Sequence, residues 1–112
     1  MITTRQEMIE MLQTGKKDFS NMTLSYLDLD NLNLSGCNFE STKLVCVDLS
    51  GSNLSNTNFT NANLRHARLI GADLENADFT KASLTRINLL DAKLLNTKLL
   101  NQLMSGLGSE YL

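Results

Sequence analysis

Every fifth residue from position 19 to position 99 is Leu or Phe. The series runs Phe19, Leu24, Leu29, Leu34, Phe39 and onward to Leu89, Leu94 and Leu99, seventeen positions without a break. This period excludes both regular secondary structures. An α-helix turns about 500° in five residues, so the stripe would wander around its surface. A flat strand would place successive members on opposite faces. The series makes sense only if the chain turns a corner every five residues and each Leu or Phe points inward.

The other four positions of the period also have a character. Two residues before each central Leu or Phe lies a small or apolar residue: Met22, Leu27, Leu32, Cys37, Thr42, Val47, Ser52 and Thr57, then Ala62, Ala67, Ala72, Ala77, Ala82, Ile87 and Ala92. Lys17 is the exception at the start. Directly before the central residue stands mostly Asp or Asn, whose side chains bond nearby backbone and support turns. The two following positions are mainly Ser, Thr, Asn, Gly or charged. Asn and Asp ladders along a column are also expected to tie coil to coil.

The phenylalanines set the size of a circuit. Phe19, Phe39, Phe59 and Phe79 are spaced by twenty residues, which is four repeats. One circuit therefore has four sides, and the rings form a single core stack. Neighbouring coils sit about 4.8 Å apart, close enough for offset stacking. Seventeen repeats give a little over four coils.

Blocks such as Ala62-Asn63-Leu64-Arg65-His66, Ala72-Asp73-Leu74-Glu75-Asn76 and Ala77-Asp78-Phe79-Thr80-Lys81 resemble the pentapeptide-repeat family, with its A-(D/N)-L-x-x pattern. The resemblance extends over residues 17–101 and implies an all-β solenoid, a right-handed quadrilateral β-helix. Lys43, Arg68, Lys93 and Lys98 depart from the Asp/Asn preference, and Met and Leu replace Ala in the early small column. Distortion of the first and last coils is the expected result.

A solenoid needs different units at its ends. Residues 1–16 read as an N-terminal capping helix. Thr4 and Glu7 form a capping box, Met8, Ile9, Met11 and Leu12 an apolar stripe, and Gly15 the stop, which gives a helix over 4–14. At the other end the outward position after the central residue turns apolar. It is Leu90, Leu95 and Leu100, followed by Leu103, Met104, Leu107 and Tyr111. Such a surface has to be covered. Two arrangements do so: residues 102–112 fold back as a C-terminal cap, or they form a dimerisation tail in a two-fold homodimer. The resemblance favours pairing, since several family members dimerise through C-terminal elements.

Candidate chemistry is sparse. His66, the only histidine, lies at an exposed corner with Cys46 and Arg86 one coil to either side. No orienting carboxylate or oxyanion site accompanies them. Cys37 belongs to the inward small column as a filler. Asp28, Asp30 and Asp48 line one side, but a flat wall is expected to splay them, so no metal is assigned. Asp48 and Arg68 should form a weak surface ion pair. The sequence has no phosphate loop, dinucleotide fingerprint or zinc spacing, and no cofactor is expected.

Charge and hydropathy narrow the class further. Ten basic and twelve acidic residues give a net charge of −2, unlike a strongly basic nucleic-acid binder; direct nucleic-acid binding is not expected. No apolar run approaches the ~18 residues of a membrane span. The opening MITTRQEMIEMLQ carries charge where a signal peptide needs an apolar stretch. Two cysteines nine residues apart fit no disulfide framework. A cytoplasmic setting follows as the expectation, and the family resemblance implies a bacterial one. The reading is a non-enzymatic scaffold or protein-interaction module with an unknown protein partner. The alternative, implied by the resemblance, is a DNA mimic acting on DNA gyrase, as in the quinolone-resistance members. That role requires a markedly acidic rod, whereas Arg65, Arg68, Lys81, Arg86, Lys93 and Lys98 populate the second half.

Overall fold

The computed structural model describes residues 1–99. Its one helix, α1 (Arg5–Gln13), begins at Thr4, whose hydroxyl oxygen accepts from the Glu7 N–H at 3.1 Å. Glu7 reaches back to the Thr3 N–H and to both threonine hydroxyls, which holds its carboxyl below the ordinary value. The helix ends in a Schellman arrangement. Gly15 takes a φ of 88°, its N–H donates to the Leu12 carbonyl, and the Lys16 N–H donates to the Met11 carbonyl, the bond pattern that satisfies final carbonyls. Met8 is fully buried and Ile2 nearly so, both in the main apolar cluster, with Leu12 packed against it. Met11 lies at the exposed edge of the expected stripe.

From residue 17 the chain coils. Thirteen parallel bridges join residues twenty apart, from Asp18–Asn38 to Asp78–Lys98. The circuit is therefore twenty residues with four sides. We number the coils 1 (17–36), 2 (37–56), 3 (57–76) and 4 (77–96). Hydrogen bonds run both ways between coils. The Phe19 N–H donates to the Asn38 carbonyl, and the Asn38 N–H to the Lys17 carbonyl, both at 2.8 Å. The β character is confined to these isolated bridges, because a corner every five residues leaves each side too short for a regular strand.

The interior follows the two inward columns. All central residues from Phe19 to Leu89 are buried, and so is the small column from Cys37 to Ile87. In coil 1, Met22, Leu27 and Leu32 are only half-buried. The phenylalanine rings form one stack, with centroid separations of 5.8, 5.1 and 4.7 Å and interplanar angles of 18°, 12° and 2°. The Lys16 ammonium closes its open end, 5.5 Å from the Phe19 centroid, a cation–π contact.

Corners use left-handed backbone. The second residue after each central position, at every fifth place from Asn21 to Asn96, has φ between 52° and 72°. Asn and Gly dominate there because they adopt this conformation at least cost. At most corners the N–H one residue later donates to the central carbonyl, as in Cys37 to Leu34. Among the described residues, the corners after Phe19, Leu29 and Leu54 lack that bond. Their carbonyls instead accept from the buried hydroxyls of Thr42, Ser52 and Thr57 at 2.6–2.7 Å. The hydroxyls of Thr42, Ser52 and Thr57 thus replace missing turn bonds, while that of Thr97 adds a second bond to the Leu74 carbonyl.

Every Asp and Asn directly before a central residue accepts from the N–H two residues on, as Asp18 does from Ser20 and Asn58 from Thr60. This bond turns each side chain toward its own turn, and among the described residues the expected coil-to-coil ladder is reduced to a long contact of 3.4 Å between Asn38 and Asp18.

Candidate functional site

The outward residues fall into four corner columns. Asn and Gly predominate in two of them: Gly36, Asn56, Asn76 and Asn96 in one, and Asn31, Gly51, Gly71 with Asp91 in another. A third alternates, with Asn21 and Asn61 between Ser41 and Lys81. The fourth contains Tyr26, Cys46, His66 and Arg86, all left-handed and none of them Asn or Gly. Each such side chain costs about 1–2 kcal/mol of strain relative to Gly. This is the His66–Cys46–Arg86 column of the sequence, extended upward by Tyr26, which is 75% exposed.

The sides next to that corner are also unusual. Lys43 and Arg68 occupy places where Asp or Asn normally supports the turn. Neither can accept the N–H two residues ahead. Serines one coil earlier do it instead: the Val45 N–H donates to the Ser25 hydroxyl oxygen at 3.0 Å, and the Ile70 N–H to that of Ser50 at 3.2 Å. The basic side chains are thereby relieved of turn duty. Arg65 projects from the same corner as His66, and Arg65, His66, Arg68 and Arg86 are all exposed. Among the described residues, the ion pairs are Arg5 with Asp28 and Asp30, and Lys98 with Asp78. The expected Asp48–Arg68 pair does not form, although the two residues share a bridge; Asp48 accepts from the Ser50 N–H instead.

Asp28, Asp30 and Asp48 do converge, with carboxylate oxygens within 4.8 Å of one another. The wall does not splay them as expected. A cation already stands among them: the Arg5 guanidinium from α1 lies 2.8 Å from Asp30 and 3.5 Å from Asp28, and donates to the Asp28 carbonyl at 3.2 Å. The Lys17 ammonium similarly donates to the Ser35 carbonyl at 2.9 Å. Both side chains satisfy carbonyls on the first coil's open edge. Sequence spacing could not reveal the Arg5 contact, which joins residues more than twenty positions apart.

Among the described residues, the groups suited to covalent chemistry are few. Cys37 is fully buried, and burial pushes its thiol pKa up despite nearby Lys17, which disfavours the thiolate. Cys46 is exposed, and both cysteines are free. A cavity of about 550 Å³ opens between residues 1–3 and the first coil, lined by Met1, Ile2, Thr3, Met22, Thr23, Ser25 and Leu27, without an acidic, basic or thiol side chain.

At the far end Leu90 and Leu95 are 53% and 64% exposed. Leu90 continues a column above which lies Ile70. The other residues of the expected apolar surface, Leu100, Leu103, Met104, Leu107 and Tyr111, lie outside the described residues. No described helix is long and apolar enough to cross a membrane.

The family model for pentapeptide repeats matches residues 15–40, 42–80 and 72–101, in eight copies. Among solved structures, a pentapeptide repeat protein from Nostoc PCC 7120, alr5209, is 34% identical at a TM-score of 0.77, covering 81% of this chain and 75% of that one. Rfr23, a pentapeptide repeat protein from the cyanobacterium Cyanothece 51142, is 32% identical at a TM-score of 0.72, covering 72% of this chain and 55% of its own. HetL from Nostoc sp. PCC 7120, described as involved in heterocyst differentiation regulation, is 28% identical at a TM-score of 0.61. Its alignment covers 86% of this chain and 45% of HetL, so the chain spans only about half the length of the latter two proteins. The comparison with curated proteins finds no match.

Proposed function

Because the chain belongs to the pentapeptide-repeat family, we propose that it is a non-enzymatic scaffold that binds another protein through its outer walls. In this reading the coil is a right-handed quadrilateral β-helix and α1 caps its first turn. The observation that carries it is the separation of interior from exterior. Core and turn bonding occupy the inward columns and the Asp/Asn positions, leaving the corner side chains available for contact. Small-molecule and catalytic sites are normally concave, with a few convergent polar groups, and the cavity at the first coil offers only the hydroxyls of Thr3, Thr23 and Ser25 among apolar side chains, with no charged side chain. HetL's regulatory description supports a binding role. Free cysteines suit a reducing cytoplasm.

A homodimer through coil 4 is part of this reading, with Leu90 and Leu95 at its centre. Sedimentation of the full chain should then give a dimer, and Leu90→Ser with Leu95→Ser a folded monomer. A monomeric parent would remove the dimer. The scaffold itself is tested by placing photo-crosslinking residues on each of the four corners in the native host. A protein adduct confined to one or two corners is expected; no adduct from any corner would refute binding through the walls. A DNA-mimic role is disfavoured by the exposed Arg65, Arg68 and Arg86, and supercoiling by DNA gyrase should be unchanged at micromolar protein.

A further inference from the structure

Three independent features meet at one corner. Its four left-handed positions hold Tyr26, Cys46, His66 and Arg86, where another corner has only Gly and Asn. The turns beside it have lost their Asp or Asn to Lys43 and Arg68, and serines replace the missing acceptor in each. All three arginines beyond Arg5 gather on this corner and its adjoining side, with no ion pair among the described residues. Strain kept at a surface that could relieve it with Gly or Asn is a sign of function. Uncompensated arginines on a chain of net charge −2 point to an acidic partner.

We propose that this corner, with Arg65, Arg68 and Arg86 as its charged anchors, is the docking edge for a carboxylate-rich segment of a partner protein. The proposal rests on the scaffold reading and names the chemistry of its partner. Arg presents a planar fork that matches a carboxylate bidentately, and Tyr and Arg are the residue types that anchor protein interfaces. The basic stretch is short. Lys43, the Arg65–Arg68 level and Arg86 occupy three successive coils, roughly 10 Å at the strand spacing. Three or four extended residues cover that height. A nucleic-acid backbone needs a longer run of cations for useful affinity, and continuing up the column it meets Asp48, Asp28 and Asp30.

The test is fluorescence anisotropy of the full chain with a fluorescein-labelled, eight-residue Asp/Glu-rich peptide, in parallel with a labelled twenty-nucleotide single strand. Saturable peptide binding that weakens as salt rises is expected. The variant Arg65→Gln, Arg68→Asn and Arg86→Asn should weaken it at least tenfold. Those asparagines are the types used at equivalent positions, so the coil should unfold at a temperature no lower than the parent's. Lys81→Asn with Lys93→Asn, on other parts of the surface, should change the affinity less than twofold. Equal losses in the two variants, absence of peptide binding, or tighter binding of the oligonucleotide would each overturn the proposal. Photo-crosslinking separates its failure from that of the scaffold reading: an adduct from position 56 on the opposite corner, with none from position 26, rejects this corner and leaves the scaffold intact.

Discussion

The hydroxyl of Thr42 donates to the carbonyl of Phe19 at 2.7 Å, from one coil to the coil before it. Thr42 occupies a column in which Ala is the commonest residue of the later coils, so Ala would fit its space. The bond it makes has no backbone substitute, because the Met22 N–H does not close the Phe19 corner and no other backbone N–H donates to that carbonyl. Thr42→Ala, Ser52→Ala and Thr57→Ala are each expected to cost about 1–3 kcal/mol, the penalty for a buried acceptor left unpaired. Urea unfolding measures this, with Ala67→Ser as a comparison at a corner whose carbonyl is already paired. A loss below about 0.5 kcal/mol in all three would show that the hydroxyls are fillers.

The ring stack gives a graded expectation. Phe59 has a ring on each side, at 5.1 and 4.7 Å, in a shaft with no solvent access. Phe59→Ala should cost about 3–5 kcal/mol through lost burial and the cavity left behind. Phe59→Leu restores most of the volume and should cost about half as much or less, since the ring–ring contribution is about 0.5–1.5 kcal/mol per pair. Equilibrium unfolding of the two variants separates these contributions.

Corner strain predicts gains as well as losses. His66→Gly and Arg86→Gly should each raise stability by up to about 1 kcal/mol, the relief of left-handed backbone offset by glycine's greater unfolded-state freedom. Asn56→Val should lower it by a similar amount or more, since a β-branched residue is poorly suited to φ of 58°. Thermal melts of the three variants would reveal the opposite signs; a destabilised Arg86→Gly would mean that Arg86 makes a compensating contact.

Acid should loosen the coil through its turn carboxylates. The Asp18 carboxyl lies below its ordinary value of 3.8 because the Ser20 hydroxyl and N–H stabilise its charge. Burial works to raise the Asp78 carboxyl, but bonds from Thr80 and the charge of Lys98 bring it below 3.8. A carboxyl depressed on folding adds stability above its unfolded pKa and loses it as pH falls through the folded value. Stability should be flat with respect to these groups above about pH 5 and fall below about pH 4. Asp18→Asn with Asp78→Asn keeps both turn acceptors while removing their titration, and should flatten that acid limb in pH-dependent urea titrations.

Much of this architecture is written directly in residue types. The Leu/Phe period, the twenty-residue phenylalanine spacing and the Thr4–Glu7 cap each bind a local choice to a local geometry, and the structure follows them. The left-handed corners were also legible in principle, since Asn or Gly fills nine of the sixteen fifth places from Asn21 to Asn96. What escaped were relations that depend on several coils at once. Ser25 and Ser50 look like ordinary turn residues until Lys43 and Arg68 remove the usual acceptor. Arg5 looks like a surface charge on a helix until the helix lies across the first coil and brings it to Asp30. Asp48 and Arg68 are neighbours by spacing and share a bridge, yet among the described residues no ion pair joins them. In the candidate site, the residues of the corner were identifiable, while the strain that distinguishes them was not.

Bridges that always join residues twenty apart also govern which length changes the protein can absorb. Removing or duplicating twenty consecutive residues within 37–96 keeps each later residue on its original wall and merely shortens or lengthens the column. Removing five leaves the inward series unbroken but advances everything downstream by a quarter turn. Phe79 would leave the aromatic shaft, and Arg86 would be carried to the neighbouring edge. Insertions in multiples of five thus test shape and recognition separately: the interior tolerates each of them, whereas a binding edge spread over several storeys survives only whole circuits.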